Sequence, residues 1–255
     1  VAQTIERTTA LTASEHEAIE RELRIECAAA YRLVDHYGWT DLIYNHISVR
    51  LPGPEDRFLI NPFGMLYREI RASDLIVIDP EANVIGDRSR PVNPAGFIIH
   101  SAVHEARRDV QCVIHTHTSY GAAVSAMACG LLPLSQFAMP FYNRLGYHDY
   151  EGLAVTPDEK ARLVHDLGQH QAMLLKNHGI LTVGRTVAEA FETLHYLERA
   201  CEIQVKAQSA GTPLVTPPIE VCEHAAGQLA PYLDGARAWP ALIRLLDEKD
   251  SSYRG

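Results

Sequence analysis

Three histidines carry the chemistry that this sequence offers. His115 and His117 stand two residues apart at the end of the apolar run Cys112-Val113-Ile114. On a strand, side chains at i and i+2 point to one face. Both imidazoles can therefore reach a single point past the strand end. That is the geometry of a metal chelate, and imidazole suits zinc, iron, copper and nickel. His178 follows a second apolar run, in Leu174-Leu175-Lys176-Asn177-His178-Gly179-Ile180. Three histidines at strand ends make a mononuclear site with positions left open, which is the pattern of a catalytic metal rather than a structural one.

The elements that must position them read out of the hydrophobic pattern. Ser14 with Glu17 fits a capping box, and Ile19, Leu23, Cys27, Ala30, Tyr31 and Val34 continue a helix that Gly38 ends. Leu42 to Leu51 and Arg57 to Asn61 predict strands, and Leu75–Asp79 with Asn83–Ile85 predict a hairpin. Asn93-Pro94 opens a helix bearing His100 and His104 and ending near Arg107. The His-x-His strand follows, then a small-residue helix from Gly121 to Met127. Residues 133–150, with Phe137, Phe141, Tyr142, Tyr147 and Tyr150, read as a short strand and a covering loop. Thr156-Pro157-Asp158-Glu159 starts a helix to about Gly168, and Thr186 with Glu189 caps the strongest helix, ending near Ala210. The sum is an α/β fold of αβα type: helices on both sides of a central, mostly antiparallel sheet. The division is an arm (residues 1–14), one domain (15–212) and a helical tail (213–255).

Composition narrows the partners. The chain of 255 residues is 47% hydrophobic and 22% charged, enough for a sizeable core. Its formal charge of -9 argues against nucleic acid, whose phosphates need a basic face. No apolar run is long enough for a membrane span. Val1 stands where Met would open a native chain, which reads as a trimmed start, and no basic-then-apolar leader follows. Cys27, Cys112, Cys129, Cys201 and Cys222 are scattered without a CxxC pair, so they are expected to be buried thiols in a reducing cytoplasm.

The order of short motifs is more specific. Tyr44-Asn45-His46-Ile47-Ser48-Val49-Arg50 comes first, then Leu59-Ile60-Asn61-Pro62-Phe63-Gly64, Ala95-Gly96-Phe97 with His100, His115-Thr116-His117, Asn177-His178-Gly179, and the helix from Glu189 to Gln204. Over about residues 15–210 this resembles the class II aldolase/adducin family, and more closely its adducin-type branch. The resemblance implies a ring-shaped homotetramer with active sites between subunits. It also implies one divalent metal per chain on His115, His117 and His178, zinc first and manganese or iron as alternatives. A small-molecule substrate is implied beside Asn45 and Gly64.

The departures are as informative. Sugar-phosphate aldolases of this family carry a Glu or Asp nineteen residues before the first His-x-His histidine, where this chain has Gly96. Their phosphate-binding serines fall on Pro94 and Ala95, their Thr-Gly turn on Phe63-Gly64, and the aldehyde-protonating tyrosine on Phe137. A tight phosphate site without hydroxyl donors is hard to build. His100, one helical turn beyond Gly96, is the replacement acid/base or a fourth ligand, set against a histidine that packs and bonds under the site. His46 reads as structural. His104, His148, His165, His170, His195 and His224 read as surface or core residues, and Glu105 as a solvated carboxylate before a base. Arg50 or Arg144 could hold a substrate carboxylate.

The expected activity is a metal-dependent carbon–carbon lyase, an aldolase or decarboxylase, on a non-phosphorylated carboxylate- or ring-bearing molecule. Decarboxylation needs no base to begin, which suits Gly96. A non-heme iron oxygenase on the same fold is one alternative, and a non-catalytic adducin-like binding module is the other.

Overall fold

The computed structural model describes residues 12–53, 55–152 and 157–255. One sheet of eight strands organises them: β1 (His46–Arg50), β2 (Phe58–Ile60), β3 (Ile76–Ile78), β4 (Val84–Ile85), β5 (Cys112–Thr116), β6 (Gly146–His148), β7 (Ala172–Leu175) and β8 (Gly179–Gly184). The strand order is β4-β3-β2-β1-β5-β8-β7-β6. The β6–β7 pair is parallel and the other named pairs are antiparallel. β5 thus lies in the middle of the sheet, between β1 and β8. Strands β5, β7 and β8 are buried along their whole length, which is why they read as continuous apolar runs and not as alternating ones.

Helices cover both faces. On one side α1 (Ala13–His36) and α5 (Val187–Ser209) pack Leu33, Leu194 and Leu197 against Ile47, Ile114, Leu174 and Ile180. On the other, α2 (Pro94–Ala106) and α4 (Pro157–Leu167) pack Ile99, Val103, Leu163 and Leu167 against Val113, Met173 and Leu181. Alternation along β5 explains the split: Cys112 and Ile114 face one helical layer, Val113 the other. The αβα architecture with a mostly antiparallel sheet is therefore as expected. A short helix α3 (Ser119–Ser125) follows β5, in place of the expected Gly121–Met127.

Several boundaries differ from expectation. The first capping box is Thr12 with Glu15, not Ser14 with Glu17: Glu15 N–H donates to Thr12 Oγ1 at 3.3 Å, and Thr12 N–H donates to the Glu15 carboxylate at 2.7 Å. The first strand begins at His46, not Leu42. Residues 41–45 instead make a tight loop, with Leu42 (φ 49°) and Asn45 (φ 75°) in the left-handed region. Residues 139–141 form a 3-10 turn leading to β6. The helix start expected at Thr156 lies outside the described residues, though α4 itself ends at Leu167 as the pattern indicates. Cys129 is exposed, while Cys27, Cys112, Cys201 and Cys222 are buried thiols.

The C-terminal segment folds onto its own chain. It forms α6 (Ile219–Leu229) and α7 (Trp239–Lys249). Trp239, Leu246 and the fully buried Tyr253 join the same core as α1, and Arg32 pairs with Asp250 at 3.2 Å. Among the described residues no helix is long and apolar enough to cross a membrane.

Candidate metal centre

The sheet brings the three histidines together. His115 lies in β5, His117 just beyond its end, and His178 in the turn between β7 and β8. Nε2 of His117 is 3.1 Å from Nε2 of His115 and 2.8 Å from Nε2 of His178. Among the described residues these three form the group whose ligand atoms converge, all within 4.8 Å of one another. The close approach depends on Gly179. A Cβ there would lie 2.4 Å from the Thr116 carbonyl oxygen and 3.3 Å from the His117 ring. Asn177 makes the tight turn at φ 57°.

The hydrogen bonds decide which nitrogens are free. His115 Nδ1 is 3.0 Å from the carbonyl oxygen of Ile180. A carbonyl only accepts, so Nδ1 carries the hydrogen and Nε2 is a bare acceptor. His117 Nδ1 is 2.9 Å from Asp41 Oδ2, with the same consequence. Burial pushes the His178 pKa down to about 4 and holds that of His115 well below the usual value, the neighbouring histidines adding to both effects. With Nδ1 of His115 committed to the Ile180 carbonyl and Nδ1 of His117 to Asp41, their Nε2 atoms face one another, an arrangement that a cation relieves. Tetrahedral coordination at about 2.0–2.1 Å spaces nitrogens roughly 3.3 Å apart, close to what is observed. The donor set therefore fits a divalent metal.

The surroundings come from the loop 41–45, of which residues 42–45 were expected to be strand. Asp41 holds His117, and Asn45 Oδ1 faces the His117 backbone N–H at 3.5 Å. Asn45 is 2% exposed and its Nδ2 has no partner. Neither the role of Asp41 nor the left-handed loop has a signature in the sequence, because both depend on β1 pairing with β5. Gly64 sits at φ 101° with open space where a side chain would be, and the neighbouring Phe63 ring lies 6.2 Å from that of the exposed Tyr44. The exposed Tyr150 ring is 6.4 Å from His178.

His100 is not part of the converging group. It is completely buried, with Nδ1 2.7 Å from Ser48 Oγ, whose other side faces His104 Nε2 at 2.8 Å. His46, opposite His115 in the β1–β5 register, is buried beside His100, the His46 and His100 ring centroids 6.0 Å apart. Arg50 lies at the far end of β1, bonded to Asp56 and the His104 carbonyl. Arg144 pairs with Glu223, and Glu105 is an exposed carboxylate near Lys160. Phe137 packs at a tilt against Tyr196, with ring centroids 5.2 Å apart. Glu198 of α5, unnoticed in the sequence, accepts from Thr118 Oγ1 (2.6 Å) and Gly121 N–H (2.9 Å), anchoring the segment after His117.

This arrangement has counterparts. Residues 25–205 match the Class II Aldolase and Adducin N-terminal domain. The chain belongs to that family. An aldolase II superfamily protein from Pseudomonas syringae shares 48% identity and a TM-score of 0.89, over 93% of this chain and 96% of that one. An L-fuculose 1-phosphate aldolase from Glaciozyma antarctica shares 31% identity and a TM-score of 0.83, over 97% of each chain. Alpha-adducin of Rattus norvegicus is 42% identical over 245 residues, which are 89% of this chain and 33% of that protein. Membership fixes the fold and supports a lyase-type chemistry, while the adducin relatives leave room for a member that only binds.

Proposed function

We propose that the chain is a metal-dependent carbon–carbon lyase, an aldolase or decarboxylase, acting on a non-phosphorylated small molecule with a carboxylate or a ring. The convergence of three Nε2 atoms, two of them on rings oriented by a partner at Nδ1, carries this reading. His115, His117 and His178 would hold one divalent ion, zinc before manganese or iron. Such an ion polarises a carbonyl and stabilises the charge left when a carbon–carbon bond breaks.

The chain's own residues do the rest. Asp41 and the Ile180 carbonyl orient the ligands. The unpaired Nδ2 of Asn45 donates to a substrate oxygen, Gly64 leaves room for the substrate, and Tyr150 supplies an apolar wall. His100, completely buried, supports the site from beneath in this proposal and does not touch substrate. One solved relative is named for a sugar phosphate, but Pro94, Ala95 and Phe63 offer no hydroxyl to a phosphate. The proposal keeps the bond cleavage and drops the phosphate. It includes a cytoplasmic homotetramer with sites between subunits.

A second reading, a binding module, is favoured by Gly96 standing where aldolases keep a carboxylate and by the adducin likeness. Elemental analysis of untagged protein purified without added metal separates the two. About one zinc, manganese or iron per chain supports the enzyme, and its identity divides lyase from oxygenase. No metal, and none taken up on titration, supports the binding module.

A further inference from the structure

His148 closes β6 on the cleft side of His178, and its side chain is only 5% exposed. Its Nδ1 stands 2.8 Å from Oδ2 of Asp166 on α4. The carboxylate accepts, so Nδ1 carries the hydrogen and Nε2 is a bare acceptor. That nitrogen is buried without a hydrogen-bond partner. Oε1 of Glu159 is 3.9 Å away, beyond hydrogen-bond reach. His148, Glu159, Tyr150 and His178 line one cleft. An oriented imidazole with an idle, buried nitrogen therefore stands in the wall of the same narrow cleft as one arm of the histidine triad. A clasp between β6 and α4 would need only the Nδ1 bond. The unpaired Nε2 is a costly feature that a clasp leaves unexplained.

We propose that His148 is the proton-transfer residue of this site, oriented by Asp166 and flanked by Glu159, and that it supplies what Gly96 cannot. The inference rests on the lyase reading of the cleft. In the cleavage direction Nε2 takes the proton of the substrate hydroxyl, the new carbonyl forms, and the carbon–carbon electron pair passes into the enolate. The imidazolium, held between two carboxylates, then gives that proton to the enolate carbon. In the half-reaction, Nε2 takes a proton from the carbon beside a carbonyl, the C–H pair becomes the enolate, and the proton returns. No electrons are gained or lost, and no other reactant is needed.

Two measurements test this. In ¹⁵N-histidine-labelled, metal-free protein, long-range proton–nitrogen spectra should show His148 with its hydrogen on Nδ1 and Nε2 bare. A hydrogen on Nε2 overturns the proposal without touching the lyase reading. In the second, protein loaded with one zinc per chain is incubated in D₂O with pyruvate or hydroxyacetone, and deuterium entering the carbon beside the carbonyl is followed. The wild type should exchange. His148→Gln should slow exchange about 100-fold or more at unchanged zinc content. Asp166→Asn, at a more exposed position, should slow it about 10-fold or more, and it carries the test should His148→Gln fail to fold. Exchange unaffected by either substitution removes His148 and leaves the lyase. No exchange in the wild type with either probe removes both.

Discussion

The Asp41 carboxylate lies 2.9 Å from Nδ1 of His117 and turns that imidazole's other nitrogen toward His115 and His178. A carboxylate behind a ligating histidine raises its basicity and locks its tautomer, and losing such a partner costs roughly 10–100-fold in metal affinity. Asp41→Asn should therefore bind zinc about 10–100-fold more weakly in a chelator competition, with an unchanged circular dichroism spectrum. Wild-type affinity in the variant would show that Asp41 only closes a loop.

The triad was legible because its spacing is local: a two-residue period in β5 and a glycine after His178 are visible in any strand-type sequence. Asp41 was not legible, since a lone carboxylate in Trp39-Thr40-Asp41 has no pattern. It reaches His117 only because β1 pairs with β5 and Asn45 bends the chain to φ 75°. The same bend shortened the first strand, because apolar Leu42 and Ile43 looked like its continuation. Ser48 and His104 likewise gain meaning only when α2 is laid across β1. The layer order, by contrast, follows from continuous apolar runs and capped helices, which demand two covered faces.

Metal binding should stabilise the fold through the histidines alone. Zinc at a hundred times its dissociation constant should add about 2.7 kcal/mol, seen as a higher melting temperature that EDTA reverses. His115→Ala and His178→Ala should lose the bound metal and the zinc-dependent shift together while the core stays folded. Full metal content in both variants would refute the ligand assignment.

Gly179 is held by space and not by its own dihedral angles. Its Cβ would lie 2.4 Å from the Thr116 carbonyl oxygen, which β5 cannot easily move. Gly179→Ala should therefore cost about 1–3 kcal/mol in urea unfolding, the usual range for overpacking. It should also weaken zinc binding, because the His117 ring is the next neighbour. A variant as stable as wild type, with the same zinc affinity, would mean that β8 can slide to make room.

The polar seam between β1 and α2 sets the acid limit of stability. Burial depresses the pKa of His46 to about 4 and of His104 to about 3, and holds His100 well below its usual value. Unfolded histidine titrates near 6.5, so between about pH 4 and 6.5 the unfolded chain binds protons that the fold refuses. Stability from these groups is complete above pH 6.5 and is lost as pH falls, at up to about 1.4 kcal/mol per pH unit for each. Glu198 acts with the opposite sign. Burial raises its pKa to about 7, so the fold holds a proton that the unfolded chain has released above about 4.5, and that contribution is lost as pH rises through 7. His115 and His178 are depressed in the same direction, and together these five histidines outweigh Glu198. Urea unfolding of the metal-free protein should therefore show stability rising from pH 4.5 to 6.5, and Glu198→Gln should steepen the rise by removing the opposing group. A flat or falling profile over that window would mean that the seam takes up protons in the folded state, contrary to its burial.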